Sequence, residues 1–210
     1  MTADADRRPL ASRSTAWARA VLRLLLRTPV SANAISAFGI LAALGGGAAL
    51  VFAPAHPWLF LLGAALTQLR LLCNLMDGLV AVEGGRGSPT GALWNEVPDR
   101  LEDSFLLVGF GYAAFLPEAG YAAAILAVFT TYLRAVGVSH GLPQDFRGPM
   151  AKPHRMAALT AGCVLGCLEA VFVGTHWLPA LTILTVALGT VLTAWRRAAR
   201  IADALKARAA

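Results

Sequence analysis

Charge is scarce in this sequence: Asp, Glu, Lys and Arg make up 14% of the 210 residues, against 57% that are hydrophobic. That balance excludes an ordinary soluble domain of this size and leaves lipid as the expected solvent. Cysteine is nearly absent. The three present, Cys73, Cys163 and Cys167, form no CxxC pair and have no matching histidine spacing, so they read as packing residues rather than ligands or bridges. Basic residues are missing from three short loops, near 54–57, 117–119 and 174–176. Strong repeats, low-complexity tracts and an interdomain linker are missing too.

What is present is hydrophobic length. A spanning helix needs about 20 mainly apolar residues, and such windows occur six times, at roughly 35–53, 58–82, 91–115, 120–138, 156–173 and 177–193. The expected fold class is all-α integral membrane, a six-transmembrane-helix bundle with an N-terminal interfacial amphipathic helix. Its expected divisions are a cytoplasmic interfacial helix over 1–30, a membrane domain over 31–196 and a cytoplasmic C-terminal tail over 197–210. Gly45, Gly46 and Gly47, and Gly162 with Gly166, are expected close-packing points between helices.

The formal charge of +6 points to a membrane surface and not to nucleic acid, because the basic residues are one-sided. Arg7, Arg8, Arg13, Arg19, Arg23 and Arg27 precede the first window. Arg86 follows the second, Arg147, Lys152 and Arg155 follow the fourth, and Arg196, Arg197, Arg200, Lys206 and Arg208 follow the sixth. The positive-inside rule then puts both termini and these loops in the cytoplasm, with the bundle in the inner (cytoplasmic) membrane. The stretch up to Thr28 alternates Arg with Leu, Val and Ala in a helical rhythm, which predicts a helix lying in the anionic interface and not a cleaved signal.

The acidic residues gather in one stretch, NLMDGLVAVEGGRGSPTGALWNEVPDRLED. Asn74 and Asp77 are three apart, and Asn95, Asp99 and Asp103 follow every four, so each set lines one helix face. At ~1.5 Å per residue, Asp77 lies about 8 Å inside the end of its helix and Asp99 about 12 Å inside the start of the next. Carboxylates at that depth face a hydrated cavity, pair with cations or bind metal. Oxygen donors favour Mg²⁺, Mn²⁺ or Ca²⁺ over Zn²⁺. The competing reading is a set of interhelical salt bridges with Arg70 and Arg100. Pro98 cannot donate to the Trp94 carbonyl, so a kink is expected beside the site, to fit the bundle or to free a ligand.

These residues resemble the signature of the CDP-alcohol phosphatidyltransferase family, D-x2-D-G-x2-A-R-x8-G-x3-D-x3-D. Asn74 falls at the first aspartate, Asp77 at the second, Gly78 and Ala81 at the small positions, and Val82 at the arginine. Gly91 follows the gap, then Asn95 at the third aspartate and Asp99 at the fourth. TPVSANAIS from Thr28 is similar to the family's TPNxIT before its first helix, and TYLRA from Thr131 to its SYxRA.

The resemblance implies a six-helix homodimer that moves a phosphoalcohol group from a CDP-linked donor, here a CDP-diacylglycerol type, to an acceptor hydroxyl, releasing CMP. It implies Mg²⁺ or Mn²⁺ held by Asn74, Asp77, Asn95, Asp99 and Asp103, with Asp77 and Asp99 catalytic and Asp99 the general base. Asparagine at two signature positions lowers the carboxylates from four to two and argues against a two-metal site. Glu83, Glu96, Glu102 and Asp103 are near enough to compensate, Asp103 one helical turn beyond Asp99.

Donor and acceptor contacts are expected from Gly78, Ala81, Gly91 and a cationic set. Val82 removes the signature arginine, and Arg86 is the expected substitute. Gly84, Gly85 and Gly87 would let that loop approach a nucleotide, or serve as a flexible connector. Arg134 joins Arg147, Lys152, His154 and Arg155 of RGPMAKPHRM on the acidic side, where guanidinium forks suit a small hydroxylated, phosphorylated acceptor or anionic headgroups. Two rivals remain: a non-catalytic member that binds nucleotide or lipid, and a cation transporter, whose ligands would sit nearer the midplane.

Overall fold

The computed structural model describes residues 15–209, so Arg7, Arg8, Arg13 and most of the expected segment 1–30 lie outside the described residues. Seven helices follow: α1 (Ala16–Leu26), α2 (Ala32–Phe52), α3 (Trp58–Val82), α4 (Gly91–Ala113), α5 (Pro117–Ser139), α6 (Lys152–Phe172) and α7 (Trp177–Ala209). Five of them, α2, α3, α5, α6 and α7, are long and apolar enough to cross a membrane, and the chain is an all-helical integral membrane protein. α4 has comparable length, but Glu96, Asp99, Arg100, Glu102 and Asp103 crowd its first half.

Several helix ends differ from the hydropathy windows for local chemical reasons. α2 begins three residues before Ile35 because the Ser31 hydroxyl accepts from the Ala34 backbone N at 3.2 Å, an N-cap that serves an otherwise orphaned donor. α5 begins at Pro117, whose fixed φ suits a first helical turn. α7 runs past Thr193 to Ala209; its far end is basic, which suits a helix C-terminus. Its near end is met by Glu169 of α6, whose carboxylate accepts from the backbone N of Trp177 at 2.9 Å and of Leu178 at 2.8 Å.

The six long helices pack as a closed ring in the order α2, α3, α6, α7, α5, α4, back to α2. Their core is aliphatic and aromatic, with Leu50, Phe60, Leu106, Phe110, Leu159 and Ile183 fully buried. Glycine lets helices touch by backbone: a Cβ on Gly109 of α4 would lie 2.3 Å from the Gly47 carbonyl of α2, and one on Gly111 would lie 2.6 Å from Cα of Gly120 in α5. Gly46, Gly162 and Gly166 are also close-packed, whereas Gly45 meets its neighbour, Leu66, at an ordinary 3.6 Å. Cys73, Cys163 and Cys167 are buried free thiols.

α1 turns Ala18 and Leu22 into a second apolar cluster with Met76, Leu79 and Val80 of α3, while Arg19, Arg23 and Arg27 stay exposed. Its connection to α2 is pinned by Arg86, which donates to the carbonyls of Leu26 at 2.9 Å, Thr28 at 2.7 Å and Val30 at 3.1 Å.

Candidate active site

A cavity of about 310 Å³ opens between the start of α2, the last turns of α3, the loop after α3 and the start of α4. Its wall brings together Asp77, Gly78, Ala81, Gly91 and Asn95, with Ser36 and Asn33 from α2. Asp77 is 5% exposed. The Ser36 hydroxyl donates to its Oδ2 at 2.6 Å, while Oδ1 is buried without a hydrogen-bond partner. A buried carboxylate oxygen without a hydrogen-bond partner, in a residue that lines a cavity, is a natural cation ligand. Gly78 has room around it, with no heavy atom within 4 Å of where a Cβ would stand.

Beside this wall lies a compact polar knot. Asn74 Nδ2 donates to Asp99 Oδ1 at 2.9 Å. Lys152, the first residue of α6, donates from Nζ to Asn74 Oδ1 at 3.3 Å and pairs with the same Asp99 oxygen. The second oxygen of Asp99 is 3.2 Å from Arg100 Nη2. Asp99 thus stands one turn deeper along α4 than Asn95, behind the cavity lining. Pro98 sits in α4 beside it without ending the helix.

Deeper still, Arg70 is fully buried among acids of α4. It pairs with Asp103 and stands 2.7 Å from Glu102 Oε2 and 3.7 Å from Asp99 Oδ1. Arg155 of α6 donates to the other Asp103 oxygen at 3.1 Å. Both oxygens of Asp103 are therefore engaged by guanidinium groups, and the salt-bridge arrangement of Arg70 and Arg100 coexists with a carboxylate at Asp77 that has no salt-bridge partner among the described residues. Among the described residues, no three His, Cys, Asp or Glu side chains converge on one metal position; the oxygens near Asp77 include asparagine amides.

The remaining cations form a separate group. Arg134, Asp145, Arg147, Arg197 and Arg200 line a cavity of about 120 Å³ between α5, the loop after it and α7. Arg134 also donates to Glu96 at 2.7 Å, next to Asn95. Arg86 does not reach the first cavity, since its guanidinium is taken by backbone carbonyls; His154 is exposed. Ser36 and Asn33 entered the site without a sequence signal beyond their place in the TPVSANAIS segment. Arg197 and Arg200 had only the positive-inside reading, because their helix continues beyond the apolar window.

No protein-family model matches the chain. Sequence relatives do. The inner membrane protein YnbA of Escherichia coli is 35% identical over 109 residues, 52% of this chain and 52% of its own. A bifunctional IPC transferase and DIPP synthase of Rubrobacter xylanophilus is 32% identical over 158 residues, 72% of this chain and 35% of its own length. The chain thus spans about half, or less, of those two relatives. A phosphatidylinositol phosphate synthase of Mycolicibacterium smegmatis is 27% identical over 85% of this chain and 81% of its own. Crystal structures of the Mycobacterium tuberculosis phosphatidylinositol phosphate synthase share the fold at 23% identity: the complex with manganese and citrate has a TM-score of 0.72 over 87% of each chain. The form with CDP-DAG bound has 0.70, over 87% of this chain and 92% of that one. Signature spacing, sequence relatives and fold all agree with the CDP-alcohol phosphatidyltransferase family.

Proposed function

We propose that the protein transfers a phosphatidyl group from a CDP-alcohol of the CDP-diacylglycerol type to the hydroxyl of a small phosphorylated acceptor, releasing CMP, with Mg²⁺ or Mn²⁺ as cofactor. The observation that carries this reading is Asp77, which lines the cavity with Gly78, Ala81, Gly91 and Asn95 and holds a buried Oδ1 without a hydrogen-bond partner. That donor set fits a hard divalent ion, with Asp77 as anchor and the carbonyl oxygen of Asn95 in reach of the same cavity. When bound, the ion polarises the phosphoryl oxygen and stabilises departing CMP.

The chain's own groups do the rest. Gly78, Ala81 and Gly91 leave the nucleotide diphosphate room against the helix backbones. The acceptor hydroxyl attacks the phosphorus that bears the lipid alcohol. The bond from that phosphorus to the bridging oxygen breaks, its electron pair leaves on CMP, and the hydroxyl proton passes to Asp99, oriented by Asn74. Arg134, Arg147 and Arg200 present guanidinium forks for a phosphate on the acceptor, and an inositol phosphate is the acceptor proposed, in keeping with the names of the relatives. Lys152 and Arg155 hold the acidic helix in place next to it, and Asp103 anchors that helix.

In the bilayer, α4 joins the five apolar helices as a sixth span, its charges turned into the ring. α1 lies in the interface with Arg19, Arg23 and Arg27 toward anionic headgroups. Both termini and both cavities face the cytoplasm, and two copies pair as a homodimer. The testing experiment is CMP release by protein in nanodiscs given CDP-diacylglycerol, Mn²⁺ and inositol phosphate, beside Asp99→Asn. Metal-dependent CMP and a new lipid, both lost in the variant, are expected. Donor binding without CMP over a broad acceptor panel would establish the non-catalytic reading instead.

A further inference from the structure

One side chain has no counterpart in the signature. Lys152 reaches from the first turn of α6 and touches Oδ1 of both Asn74 and Asp99, while Asn74 Nδ2 returns to the same Asp99 oxygen. The first and last signature positions are thus closed around an ammonium group whose side chain is 10% exposed. An ammonium is a compact cation with three donors and no lone pair. It neutralises one carboxylate, and a second cation on the same oxygens would meet like charge at close range.

The Asp77 side is the opposite case. There the carboxylate belongs to a residue that lines the cavity, and one of its oxygens is buried without a hydrogen-bond partner. The two halves of the signature therefore differ: one is filled by a cation of the protein's own, and the other keeps a carboxylate oxygen without a partner beside the cavity.

We propose that Lys152 is a built-in cation replacing one divalent ion, so that the site takes a single divalent ion, anchored by Asp77. The substitution of Asn for Asp at position 74 belongs to the same device, since the neutral amide donates to Asp99 and accepts from Lys152 at once. The inference rests on the transferase reading for the nucleotide that completes the ion's shell.

Mn²⁺ binding in nanodiscs, counted by electron paramagnetic resonance with CDP present, tests it. Wild type is expected to bind one Mn²⁺ per chain, without Mn–Mn dipolar broadening. Asn74→Asp with Lys152→Met restores a carboxylate and removes the ammonium; it is expected to bind two, broadened as for ions about 3.5–4 Å apart. Two or no Mn²⁺ on wild type overturns the proposal. So does one Mn²⁺ on a double variant whose circular dichroism and size-exclusion profile match wild type; where they do not, the wild-type count decides. CMP release on the same samples separates the two readings. A single Mn²⁺ without turnover defeats the transferase and not the ion count, whereas two Mn²⁺ with turnover defeat only the count.

Discussion

Asn74 donates from Nδ2 to Oδ1 of Asp99 at 2.9 Å, joining residues 25 positions apart in the chain. The first and last members of the signature, one on α3 and the other on α4, are thereby in direct contact. An amide can do this where two carboxylates would repel, and it fixes the orientation of the Asp99 carboxylate, the base of the proposed reaction. Asn74→Leu should lower kcat/KM by about 10–100-fold, the usual penalty for losing a group that orients a ligand or base. Steady-state CMP release checks this, with a thermal melt close to wild type showing that the loss is one of orientation.

Arg70 is the charge on which the interior of α4 depends. It is fully buried beside Glu102 and Asp103, so Arg70→Met leaves Glu102 without its cation and Asp103 with Arg155 alone in a low-dielectric core. The expected destabilisation is about 3–5 kcal/mol, against less than about 0.5 kcal/mol for Arg19→Met on the exposed face of α1. Unfolding in detergent, followed by circular dichroism, compares the two; equal melting would show that the acids are served by other groups.

Two glycines separate packing from binding. A Cβ on Gly109 would meet the Gly47 carbonyl at 2.3 Å, so Gly109→Ala should push α2 and α4 apart and destabilise by about 1–3 kcal/mol. Gly78 has open space, and Gly78→Ala should leave stability unchanged or raise it by up to about 1 kcal/mol. Because that space is the cavity, CDP binding by Gly78→Ala should weaken, and calorimetry reads the difference.

Asp145 gives the loop before α6 a pH dependence. Burial works to raise its pKa, but the Arg147 backbone N–H at 2.9 Å, the Arg147 guanidinium at 3.1 Å and that of Arg200 at 2.6 Å outweigh burial and hold it below the ordinary carboxylate value. A group lowered on folding contributes stability above its unfolded pKa, about 3.9 for Asp, and loses it as pH falls through the lower folded value. Hydrogen exchange across 141–151, measured against the intrinsic amide rate at each pH, should therefore be slow at neutral pH and fast below about pH 4. Asp145→Asn should show the fast behaviour at pH 7; unchanged protection there would mean that Arg197, which also holds this loop through the Arg147 carbonyl at 3.1 Å, suffices.

Much of the architecture was legible because it depends on short-range properties. Apolar length located the long helices, and the window at 58–82 coincides with α3. A missed N-cap explains why α2 starts earlier than Ile35, although Ser31 was there to be read. Helical spacing put Asn74 with Asp77, and Asn95 with Asp99 and Asp103, on common faces. Spacing could not say which carboxylate stays open, since Asp77 and Asp103 are equally good oxygen donors on paper. Only the tertiary structure decided that Arg70 and Arg155 close on Asp103, that Lys152 closes on Asp99, that Arg86 spends its donors on backbone carbonyls, and that Asp77 beside the cavity keeps one oxygen without a partner. The physical reason is range: hydropathy and periodicity act over a few residues of one helix, whereas the partner of a buried charge is set by which helices the ring brings side by side.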